Sequence, residues 1–160
     1  MKLITKLGIG TLGYVVLLAV APAQNTQPSP QQQAAEAVRF RRADMDMQAY
    51  SLAPLLPMLE GGRFDEAVVL KAASQLATLM EMLPDMFETD TSKFSLKTNA
   101  RPLIWTDPLA FELQIRDMQD SVDNMAAAVM KGDEPAMLKT SRTVVQACRG
   151  CHEKFAIGLK

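Results

Sequence analysis

Cys148-Arg149-Gly150-Cys151-His152 gathers the chain's two cysteines and its one histidine into five consecutive residues. The spacing is the C-x-x-C-H of covalent c-type haem attachment. On a helix, Cys148 and Cys151 lie three apart and project from one face, so both thiols can reach the two vinyl groups along one edge of a single porphyrin. His152 follows at once, four residues from Cys148, where its imidazole can approach the iron from beneath the ring. One short segment thus supplies both tethers and the proximal ligand of one haem c per chain.

Other readings of these residues are weaker. A closed zinc site needs four ligands, and the chain has no further Cys or His. A thioredoxin-like redox pair would sit among alternating strands and helices, whereas the flanks here read as continuous helix. A structural disulfide would leave the adjacent, solitary His unexplained.

Working outward, the motif sits on the last of four predicted helices. Asp133 caps that helix after Gly132, and it runs to about Ile157 with Met137, Leu138, Val144 and Val145 as apolar positions. The third starts at Asp107-Pro108, a capping carboxylate followed by proline at the first helical position, and runs to about Lys131. Its inward residues are Leu113, Ile115, Met118, Val122, Met125 and Val129. The second spans about Asp65 to Leu83 with Val69, Ala72, Leu76, Leu79 and Met80 on one face, and Pro84 is expected to close it. The first spans about Ala34 to Ala53 on an inward stripe of Ala34, Val38, Met45, Ala49 and Leu52, ended by Pro54 and Pro57. Residues 84–106 read as a long crossover. Four helices, one long connection and no strand signal predict an all-α fold, an antiparallel four-helix bundle with its cofactor between helices.

Residues 1–23 read as a secretory signal: Lys2 and Lys6 open it, Leu7 to Val20 is apolar, and Ala21-Pro22-Ala23 supplies small residues for cleavage. That apolar run is short for a membrane span of about 20 residues, so cleavage rather than stable membrane insertion is expected. Residues 24–33, rich in Gln, Pro and Ser, read as a flexible mature N-terminus, and 34–160 as one domain. The chain holds 17 basic and 18 acidic residues, mixed along its length. There is no basic stripe with interleaved aromatics, so nucleic acid is not an expected partner.

The sequence resembles the cytochromes c′ and their low-spin relatives, the class II cytochromes c. The likeness covers nearly all of the mature chain, through Ala37-Val38-Arg39-Phe40-Arg41, Phe64-Asp65, Arg101-Pro102 to Trp105, and the C-terminal C-x-x-C-H. It implies the bundle topology, a haem packed near one end and a tendency to homodimerise; the periplasm is expected from the signal segment, with which the haem motif agrees. By position, it places Met45 over the distal haem face and Arg41 near a haem propionate.

A second histidine ligand is excluded by inventory. A thioether from Met45 would give a low-spin, electron-carrying centre for periplasmic redox proteins. Alternatively, Met45 is a core methionine, one of 11 in the chain, that lids a five-coordinate iron open to nitric oxide or carbon monoxide. Met47 faces another side of the helix, and Met125 and Met130 read as core. The gas-binding members usually carry Arg or Lys four residues after the haem His; this chain has Ala156 there, which tilts the reading toward electron transfer. An enzyme is not expected, because acid–base or nucleophilic catalysis would need a His or Cys not spent on the cofactor.

Overall fold

The computed structural model describes residues 27–158; the signal segment, its cleavage bond and residues 24–26 lie outside them. Each long helix starts where a side chain satisfies its free amides. Helix α1, Pro30–Leu52, opens on a reciprocal capping box: Gln32 N donates to Ser29 Oγ at 3.3 Å, and Ser29 N donates to Gln32 Oε1 at 2.7 Å. The box starts α1 four residues before the expected Ala34, so 30–33 form a helical turn instead of a flexible end. A 3-10 turn, Ala53–Leu55, and a short helix α2, Leu56–Leu59, follow. Pro54 and Pro57 each sit in a first turn, where a missing N–H costs nothing.

Helix α3 spans Glu66–Phe87 with Asp65 as cap. A single turn α4, Leu103–Thr106, interrupts the crossover. Helix α5, Pro108–Met130, starts on Asp107, and α6, Glu134–Phe155, starts on Asp133, both as the sequence predicts. Gly132, with φ of 65°, makes the turn between them.

Pro84 does not close its helix; α3 runs through it to Phe87. Proline there cannot donate to the carbonyl of Met80 one turn earlier. The Gln119 side chain fills the gap, donating from Nε2 to Met80 O at 3.2 Å across the α3–α5 contact. Gln119→Leu should therefore leave that carbonyl unsatisfied and cost about 1 kcal/mol, measurable by urea unfolding of the purified protein.

Helix α5 packs against both α3 and α6, and α1 packs against α3. Among the described residues the only strand-like feature is an isolated bridge between Ala100 and Ala156. The sealed centre holds Leu55, Val69, Leu76, Met80, Val122, Met125 and Met137. The inward face of α1 departs from the predicted stripe. Ala34 and Val38 are buried as expected, but Ala49 is exposed and the buried positions continue as Arg41, Asp44, Gln48 and Ser51. On α5, Leu113 is exposed and Phe111 takes the inward place.

Candidate haem site

A cavity of about 280 Å³ opens between α1 and α6 and is floored by α5 and the crossover. From α6, Cys148, Cys151, His152 and Phe155 line it together, the residues of one helical face. Both cysteines are free thiols. Burial pushes the Cys148 thiol up, and burial with the neighbouring Cys148 pushes Cys151 up to about 11. Both are therefore neutral S–H groups near pH 7. Burial lowers the His152 pKa, so its imidazole keeps a free lone pair, the form a metal requires.

The floor is aromatic. Phe87 meets Phe111 edge-on at 4.8 Å, and Phe111 meets Phe155 edge-on at 5.0 Å between ring centroids. Trp105 Nε1 donates to Phe87 O at 2.9 Å, tying α4 to the end of α3. Behind His152 the crossover pairs with the chain end: Arg101 N donates to Phe155 O at 2.9 Å, and Ile157 N donates to Asn99 O at 2.8 Å. Arg101 Nε adds a bond to Ala156 O at 2.7 Å. These bonds fix the end of α6 just past the histidine.

The facing wall is α1, which contributes Met45, Arg41 and Gln48. Of three successive arginine candidates, the structure buries only Arg41. Arg39 pairs with Glu36 at the surface, and Arg42 donates to Lys97 O at the rim. Arg41 Nη2 donates to the buried Thr91 hydroxyl at 2.7 Å, and its guanidinium lies 5.0 Å from the Phe87 ring centroid and 5.3 Å from that of Trp105. Its Nε and Nη1 are buried without a partner. Desolvation lowers its pKa, although a guanidinium remains protonated at any ordinary pH. A buried cation with two unused donors is costly until a carboxylate completes it.

Met45 is half-buried at the cavity, Met47 is exposed, and Met125 is sealed in the core with Ser141 Oγ 3.3 Å from its sulfur. Met130 is exposed at the end of α5 rather than in the core. Two neighbouring thiols, one neutral imidazole, an aromatic floor and an incomplete guanidinium fit a covalently attached porphyrin bearing carboxylates.

A family model described as cytochrome C' matches residues 36–156, most of the chain. The chain belongs to the cytochrome c′ family. It is thus a c-type haem protein that carries electrons, with one haem c and its iron per chain. A cytochrome c′ of Rhodopseudomonas palustris is 29% identical over 158 residues, 94% of this chain and 96% of that protein. One from Rhodospirillum rubrum is 32% identical over 83 residues, 52% of this chain and 56% of the relative. The solved cytochrome c′ of Rubrivivax gelatinosus superposes with a TM-score of 0.70 at 25% identity, covering 78% of this chain and 97% of that one. That of Shewanella frigidimarina also gives 0.70, at 26% identity, covering 77% and 95%. The likeness places the chain among cytochrome c′ four-helix bundles, as its helix pattern predicts.

Sequence reasoning missed Asp44, Gln48, Thr91 and the Arg101 bonds. The i,i+4 spacing of Asp44 and Gln48 was a visible signal. Thr91 and Arg101 reach the site only through long-range folding.

Proposed function

We propose that this protein is a periplasmic one-electron carrier of the low-spin branch, its haem c tethered by Cys148 and Cys151 and ligated by His152 and Met45. The observation that carries this reading is that Met45 of α1 and His152 of α6 line one cavity from different walls. When bound, haem c would supply a one-electron iron couple, and thioether ligation from Met45 would raise its potential. Arg41 presents Nε and Nη1 to a propionate, and the three phenylalanines keep water from the floor. No residue is assigned a catalytic step. Export is the role proposed for residues 1–23, on their secretory-signal pattern.

The test is the optical spectrum of the mature protein, ferric and ferrous, before and after carbon monoxide. A low-spin spectrum with a weak far-red sulfur-to-iron band and little response to carbon monoxide is the expected result. A broad high-spin spectrum that shifts sharply would favour the second reading, a five-coordinate binder of nitric oxide or carbon monoxide with Met45 as a lid. That reading draws on solved Alcaligenes xylosoxidans relatives with nitric oxide bound. Against it stands Ala156, four residues after His152, where the gas-binding members usually carry a basic side chain.

The partners proposed are periplasmic redox proteins and a second copy of this chain. Phe40, Met47 and Tyr50 are exposed along the outer face of α1, and a second copy would cover them. Met47→Asp with Tyr50→Glu should turn a dimer into a monomer in sedimentation velocity at micromolar concentration. An unchanged dimer would put the interface elsewhere.

A further inference from the structure

The α1 wall carries a polar pair that the haem reading leaves unused. Asp44 and Gln48 are one turn apart and each 5% exposed, in positions where a helical bundle normally places apolar side chains. Gln48 Nε2 donates to Asp44 Oδ2 at 2.6 Å. An amide held this way turns its carbonyl oxygen away from the carboxylate, because two acceptors repel. The Gln48 carbonyl oxygen is not among the sealed, unpartnered polar atoms, which are Arg41 Nε, Arg41 Nη1 and Asp44 Oδ1. Gln48 lines the cavity, so this oxygen has the cavity's open space within reach. Around it the wall is apolar, formed by Met45, Leu83, Ile115 and Met118.

We infer that Asp44 and Gln48 build a hydrogen-bond-acceptor site in the cavity beside Met45, suited to a small ligand bearing N–H or O–H, such as ammonia. Ligands that end in lone pairs, such as cyanide, meet an opposed oxygen there. Gln48 determines this preference, and Asp44 is the positioning residue that keeps the amide from turning over. The inference rests on the haem reading of the cavity.

The test uses ferric, haem-loaded Met45→Ala protein, in which the thioether no longer competes. Ammonia and cyanide are titrated separately and followed at the Soret band. Adding Gln48→Leu should weaken ammonia about 3- to 10-fold, the range of one lost hydrogen bond, without weakening cyanide. Asp44→Asn should bring the two affinities toward each other although Gln48 is still present. Should Gln48→Leu refold poorly, Gln48→Ala serves the same comparison. Parallel changes for both ligands, or none, would overturn the acceptor site while leaving the haem reading intact. A colourless purified protein would overturn both.

Discussion

Cys148→Ala combined with Cys151→Ala is expected to abolish covalent haem attachment: acidified acetone should extract all pigment, whereas the parent protein keeps its colour after the same treatment. Each single variant should retain one thioether and stay coloured. The structural consequence should be as large as the chemical one. Without haem, the apolar walls of the 280 Å³ cavity would face water, and the Phe87, Phe111 and Phe155 floor would lose the group that covers it. The propionate proposed for the Arg41 donors would be absent as well. Net stability of a domain is only about 5–15 kcal/mol, so the double variant should keep helical far-ultraviolet dichroism but lose a cooperative thermal transition. Retention of covalent pigment in the double variant would refute the attachment sites.

Met45→Ala should convert the ferric iron from low to high spin, remove the far-red sulfur-to-iron band, and lower the reduction potential. The reason is local: Met45 is the one thioether of α1 at the cavity wall opposite His152, since Met47 points outward. Carbon monoxide affinity of the reduced protein should rise on the order of tenfold or more, each factor of ten representing about 1.4 kcal/mol of Met45 ligation removed. An unchanged low-spin spectrum would reject Met45 as ligand. A parent protein already high-spin, with the variant indistinguishable from it, would make Met45 a lid and support the gas-binding reading.

Arg41 shows how a single position can be read in part. Its place on α1 was legible, and the family resemblance suggested a propionate. Its burial was not legible, because Arg39 and Arg42 carry the same charge on the same helix. Phe87, Trp105 and Thr91 select Arg41, and they come from segments 46 to 64 residues away. The error at Pro84 has the same origin. Locally, proline stops a helix; here a glutamine on another helix replaces the lost hydrogen bond.

The α1 stripe was misjudged because periodicity was traced through apolar residues alone. Arg41, Asp44, Gln48 and Ser51 keep the inward spacing with polar side chains. Such positions are costly unless their groups find partners or face a polar ligand, a condition set by neighbours rather than by the helix itself.

The sequence by itself determined the all-helical fold, the caps at Asp107 and Asp133, and the covalent haem motif, because caps, helical spacing and C-x-x-C-H all act within a few residues of chain. Tertiary structure alone decided which arginine is buried, that α3 continues past Pro84, that the crossover pins the end of α6, and that Gln48, held by Asp44, borders the cavity. Each of those depends on groups brought together from distant segments, and no local pattern carries that information.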